Sequence, residues 1–332
     1  MNTITPQQTL AESITKASSK QTYYTIRFLV DRKRVADAYC AYAYFRWVDD
    51  TLDADSEQSG MTSGARNVVD TCPGGQCQGA QERVDFLTRQ KFLLEKSYRG
   101  EFIQDAILEE QMLIELVRHD REKNSGLQSY LRHMMQVMEF DAKRRGRLIS
   151  QIELNEYTRW LATAVTEAMH YFIGQDSYSP RNETRYLAVT AAHITHMLRD
   201  TFDDVQAGYY NIPREVLETN RIQPYDIESR AYCAWARSRV RLARHYFKAG
   251  REYLARVEEP RCRLAGFAYT ARFEWLLDTI EREGYCLRPQ YNERKRLSTG
   301  LRMGLSTLSA LINVRKPEPS PQTAVSQSLR KL

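Results

Sequence analysis

Apolar residues recur every three to four positions along almost the whole chain, and stretches that alternate apolar with polar residues are few. That spacing places side chains on one face of an α-helix, whereas a half-buried strand needs a spacing of two. Only 15 Gly and 10 Pro in 332 residues interrupt the pattern. The chain is therefore predicted to be all-α. Helices are expected over 21–53 (one or two), 81–100, 101–119, 127–146, 153–174, 181–208, 226–257, 260–284 and 292–312.

No composition break and no internal repeat marks a second domain, so one helical domain is expected over 18–314. Residues 1–17 are expected to form a flexible N-terminal segment. The Gly-, Ser- and Gln-rich run 56–80 reads as a long loop. The stretch 315–332, with its Pro and Ser, reads as a disordered basic tail. No run of 18 apolar residues exists to cross a membrane, and the first twenty residues lack the apolar core of a signal peptide. A cytoplasmic protein is expected.

The net charge of +6 is uneven: from Arg288 onward nine Lys/Arg stand against two Asp/Glu. Such a segment suits an anionic membrane surface or simply a solvated helix end. Peripheral membrane contact is one expectation; no nucleic-acid motif is present, and no nucleic-acid partner is expected. Six cysteines are few for this length and read mostly as small buried residues. Cys72 and Cys77 in "CPGGQC" could form a metal knuckle or a small disulfide loop, but no second pair stands at ligand spacing.

The feature with chemical content is "RWVDDTLDAD", which follows the aromatic run "YCAYAYF". Residues four apart share a helix face, so Asp49 and Asp53 point the same way and repel. A solvated helix end is the bland explanation. About 150 residues later, "THMLRDTFDDVQAG" repeats the spacing with Asp200 and Asp204. Each pair has an arginine beside it, Arg46 and Arg199. Two such pairs on apolar helices, facing each other, would cage a hard divalent cation. Mg²⁺ takes carboxylate oxygens and fills its other positions with water or phosphate, and arginines add charge-assisted hydrogen bonds.

"YAYFRWVDDTLD" resembles the first aspartate-rich motif of the squalene/phytoene synthase family, and "HMLRDTFDDVQAGYYNIP" its second. "HMMQVMEFD" is similar to the family's Gly-Met-x-x-Asp helix, and "LLDTIEREGY" to its Ile-Leu-x-x-Ile-Glu-x-x-Gly-Tyr helix. The four segments stand in the family's order between about Ser18 and Arg302. The resemblance implies a single-domain isoprenoid synthase-type bundle around a central apolar cavity. It implies a Mg²⁺-dependent prenyltransferase of farnesyl- or geranylgeranyl-diphosphate type, with Mn²⁺ as a substitute ion. The product would form head to head through a cyclopropylcarbinyl diphosphate. Carried over by motif, Asp49, Asp53, Asp200 and Asp204 would be catalytic metal ligands. Arg46, Arg199 and Lys20 would bind diphosphate, and Tyr42 would line the pocket.

The sequence departs from the family pattern around that pocket. His196 replaces the second-motif Asn and is either a weaker metal ligand, a diphosphate partner or a packing residue. Tyr209 stands where the family has Arg, and Asn211 where it has Tyr. Thr163 and Thr166 replace two glycines, which would narrow the pocket and add hydroxyls. These changes keep a second reading open: a terpene synthase on the same fold that ionises one C15 or C20 prenyl diphosphate and cyclises or hydroxylates it. A non-catalytic assembly factor is a third, disfavoured because both acid pairs are intact. Squalene synthases use NADPH and phytoene synthases do not. The family lacks a dinucleotide fingerprint, so its absence here leaves a reductant open.

Overall fold

The computed structural model describes residues 5–60, 74–174 and 179–291, the side chains of 54–60 and 74–80 excepted. The described residues form twelve α-helices and no strand. They are α1 (Pro6–Ser18), α2 (Lys20–Leu29), α3 (Val35–Gly60), α4 (Gly74–Tyr98), α5 (Leu108–His119) and α6 (Gly126–Arg144). Then come α7 (Gln151–Gly174), α8 (Thr184–Arg199), α9 (Thr201–Gln206), α10 (Arg214–Asn220), α11 (Arg230–Leu254) and α12 (Pro260–Arg282). A single 3₁₀ turn, Arg32–Arg34, leads into α3.

The N-terminal expectation needs correction: Pro6–Ser18 is a helix. Thr5 caps it, its hydroxyl accepting from the Gln8 amide while the Gln8 side chain accepts from the Thr5 amide. Two orphan amides are satisfied in this way, and Pro6 costs nothing at the first helical position. Ala11 and Thr15 are fully buried, and the helix packs on α3. Of the loop expected over 56–80, residues 56–60 belong to α3 and 74–80 to α4, and residues 61–73 lie outside the described residues. Cys72, the predicted helix 292–312 and the tail 315–332 lie outside the described residues, as does the Cys77 side chain.

Two apolar clusters form the core. One gathers α1 to α7 around Tyr44, Met112, Leu113, Leu116, Leu127 and Leu131. The other joins α8, α11 and α12 around Ile194, Val240, Phe247 and Leu276. The α8–α11 crossing is close: a Cβ on Gly250 would stand 2.6 Å from the Ala188 amide nitrogen. Only glycine permits that approach. No described helix is long and apolar enough to cross a membrane.

Candidate active site

Asp49 and Asp53 sit on successive turns of α3, in its C-terminal half. The second acid pair lies at a break. Asp200 has φ −95° and ψ 7° and separates α8 from α9. The Asp204 amide still donates to the Asp200 carbonyl at 2.8 Å, so the i,i+4 relation survives the break. The end of α6 reaches this point: after Arg144 the chain turns at Gly146 (φ +72°), whose amide donates to the Gly208 carbonyl at 2.8 Å. Gly208 itself has φ +85°, a region glycine enters without a Cβ penalty.

Asp141, on that last turn of α6, joins the two acid pairs. It is within electrostatic reach of Asp49 and Asp53 on one side and of Asp204 on the other. The Arg144 Nε donates to Asp141 at 2.7 Å and the Tyr157 hydroxyl donates to its other oxygen at 3.0 Å. Arg144 also donates to the Asn211 side-chain oxygen at 2.8 Å, and the Asn211 amide nitrogen donates to Asp204 at 2.7 Å. The guanidinium of Arg144 lies 5.0 Å from the Tyr209 ring centre. The two departures at 209 and 211 thus pack against, and bond to, the arginine that bridges the acids.

The carboxylates are unevenly compensated. Burial and the neighbouring Asp53 push Asp49 up to about 6. Burial and Asp200 push Asp204 up to about 7. Burial also raises Asp53 and Asp141. Asp200 goes the other way: burial would raise it, but hydrogen bonds from His196 and Arg199 hold it well below the usual carboxylate range. Arg199 grips both Asp200 oxygens at 2.6 and 2.7 Å, and His196 Nε2 stands 2.9 Å from one of them. Arg46 likewise bonds Asp49 at 3.2 Å and Asp50 at 3.1 Å. Both motif arginines therefore hold carboxylates of their own segment.

The donor set fits a hard divalent cation. Asp49, Asp53, Asp141 and Asp204 offer carboxylate oxygens whose mutual repulsion an added cation would relieve. Among the described residues no three acidic, His or Cys groups stand close enough to hold an ion as they are. Asp200 and His196 are occupied with each other. His196 is thus placed as a partner of Asp200.

A cavity of about 330 Å³ lies further along the same helices. Its wall is mostly apolar, including Ile26, Leu29, Val30, Tyr42, Tyr130, Met169 and Phe172. Tyr42 is part of this wall. Of the two threonines only Thr166 lines it; Thr163 is half-buried elsewhere on α7. The Thr166 hydroxyl is buried with no hydrogen-bond partner. Lys20 opens α2 as an exposed residue beside Gln21 and Thr22, which do line the cavity.

At about 1.5 Å per residue, the axial offset between cavity and acids is consistent on four helices. Tyr42 to Asp49 on α3 is about 10 Å. Thr166 to Tyr157 on α7 is about 13 Å, and Tyr130 to Asp141 on α6 and Val189 to Asp200 on α8 are each about 16 Å. The apolar cavity and the acid layer are therefore stacked along one bundle. The acids that sequence spacing paired are both in this layer. Asp141, Arg144, Tyr157 and Asn211 escaped it. "EFDAKRRG" carried a signal for the first two, a carboxylate three residues before an arginine at a helix end, and Asn211 stood out only as a departure from the family pattern.

Residues 15–300 match the sequence profile described as Squalene/phytoene synthase. None of the curated proteins compared with the chain matches in sequence. Among solved structures, the squalene synthase HpnC from Alicyclobacillus acidocaldarius superposes with a TM-score of 0.61 at 17% identity, over 85% of this chain and 95% of that one. A dehydrosqualene synthase solved in complex with ligand gives 0.62 at 16% identity, over 92% and 96%. At these identities the two structures establish a shared all-α fold.

Proposed function

The chain belongs to the squalene/phytoene synthase family, and from that premise we propose that it ionises an allylic prenyl diphosphate and condenses it head to head with a second one. The observation that carries this reading is the stacking of a joined acid layer on an apolar cavity along α3, α6, α7 and α8.

Breaking an allylic C–O bond requires a stabilised leaving group and a dry site for the cation left behind. Asp49, Asp53, Asp204 and Asp141 would hold the metal, with Asp200 joining once His196 and Arg199 let go. A bound Mg²⁺, or Mn²⁺ in its place, supplies charge that stabilises the departing diphosphate. Arg46 and Arg199 would donate to diphosphate oxygens if their carboxylates turned to the metal. Lys20 would meet diphosphate from the start of α2. The apolar wall excludes water, and the ring faces of Tyr42, Tyr130 and Phe172 stabilise positive charge on the prenyl chain.

A second reading, cyclisation or hydration of one prenyl diphosphate, has a single observation behind it: the unpartnered Thr166 hydroxyl in the cavity wall. Incubation with farnesyl or geranylgeranyl diphosphate and Mg²⁺, followed by organic extraction, separates the two. A C30 or C40 hydrocarbon or its cyclopropyl intermediate is expected. A C15 or C20 product would establish the second reading, and absence of diphosphate release from either substrate would refute both.

A further inference from the structure

Four cysteines have described side chains, and two of them are not buried. Cys40 and Cys262 are sealed in the core, where burial pushes each thiol up to about 12. Cys233 is partly exposed on the first turn of α11, and Cys286 is exposed four residues beyond α12. Their sulfurs are 3.3 Å apart although the residues are 53 apart in sequence. We propose that Cys233 and Cys286 are a site of reversible disulfide formation that fastens the start of α11 to the turn after α12.

The backbone on both sides is already held. Ser229 caps α11, its hydroxyl accepting from the Tyr232 amide. Beside Cys286, Leu287 is buried in the second core cluster, and the Tyr285 ring lies 5.4 Å from the Arg237 guanidinium, one helical turn past Cys233. A bond length of about 2.05 Å asks the sulfurs to close by roughly 1.2 Å, within the reach of side-chain rotation. Buried thiols elsewhere in the described chain are shielded from oxidant, so the selectivity follows from exposure.

The oxidant is a small-molecule disulfide such as oxidised glutathione. The Cys286 thiolate attacks one of its sulfurs, a mixed disulfide forms, and one glutathione thiolate leaves. The Cys233 thiolate then attacks the Cys286 sulfur and expels the second glutathione. Two protein thiols are oxidised, one disulfide is reduced to two thiols, and the two protein protons pass to the departing thiolates. Excess dithiothreitol runs the sequence backwards.

The full-length protein, equilibrated in oxidised glutathione or in dithiothreitol, should be digested without reduction and mapped by mass. The expected result is a peptide pair joined through Cys233 and Cys286 in the oxidised sample alone. Closing a loop of that length should raise the melting temperature by roughly 5–10 °C. C286S, altered at an exposed position, should lose both the linked peptide and this rise, and C233S should do the same. The proposal is overturned if the oxidised protein yields no such pair or stops at a glutathione adduct on Cys286. It is equally overturned if the melting rise is absent from the linked protein or survives in C286S.

Discussion

Asp49 and Asp200 occupy matching places in the two acid pairs, yet the protein treats their charges oppositely. Asp49 has one arginine nitrogen at 3.2 Å and is pushed up to about 6. Asp200 has Arg199 on both oxygens plus His196 and is held low. Repulsion is thus concentrated at Asp49 and Asp204, while Arg199 and a hydrogen bond from His196 are both committed to Asp200. If all four are metal ligands, that asymmetry vanishes in turnover and each is needed. Asp49→Asn and Asp200→Asn are each expected to slow diphosphate release by about 100-fold or more, the scale for removing one preorganised stabiliser of developing charge. Their melting temperatures should stay within a few degrees of the parent. Turnover near the parent's in either variant would remove that residue from the metal set.

Elements show where sequence pattern was enough and where it was not. The apolar periodicity located α4, α6, α7, α11 and α12 because each buries a continuous stripe that only a helix can align. It missed α1 and α10: α1 buries just Ala11 and Thr15, and α10 just Leu217, too few positions to reveal a period. It also read α8 and α9 as one helix, because Asp200 breaks the axis while keeping the i,i+4 bond that the period reports. The acid pairs were legible since the two members of each stand one helical turn apart, an i,i+4 spacing that is visible in the sequence. The bridge through Asp141, Arg144 and Asn211 was not, since it spans 70 residues and depends on how α6 meets α9. Gly250 belongs to the same class of long-range fact. Its missing side chain lets α11 lie against α8 at Ala188, and α8 carries His196 and ends at Asp200. Gly250→Ala should cost about 1–3 kcal/mol by overpacking, lowering the melting temperature by several degrees, whereas Ala234→Ser on the exposed face of α11 should leave it unchanged. Equal melting of the two variants would show that the crossing has slack.

At the scale of the whole molecule, two sets of buried groups pull the stability in opposite directions as pH changes. His170 and His193 are buried, and desolvation lowers each from an ordinary 6.5 to about 3. Below pH 6.5 the unfolded chain takes up these protons and the folded one does not, so acidification destabilises the fold by about 1.4 kcal/mol per pH unit for each histidine. Asp204 does the reverse. Its folded value of about 7 lies above the ordinary 3.8, so between those limits the folded chain holds a proton that the unfolded chain has lost. Acidification through that window stabilises the fold, again by up to about 1.4 kcal/mol per unit. Asp49 adds to this between 3.8 and about 6, by less because its side chain is 45% exposed to screening solvent. The acid layer therefore partly offsets the histidines, and the protein in chelator should lose stability on acidification between about pH 4.5 and 6 less steeply than the two histidines alone dictate. Single substitutions should tilt that slope in predictable senses. His170→Gln, which keeps a hydrogen-bonding group for the Tyr253 hydroxyl at 2.9 Å, should make the protein gain stability on acidification. Asp204→Asn should make it lose stability more steeply, while raising stability near neutrality, where the parent carries uncompensated charge. Urea unfolding in chelator across that range measures both slopes. Parallel curves for the parent and the two variants would mean that neither the buried imidazole nor the acid layer titrates in the folded protein as its surroundings require.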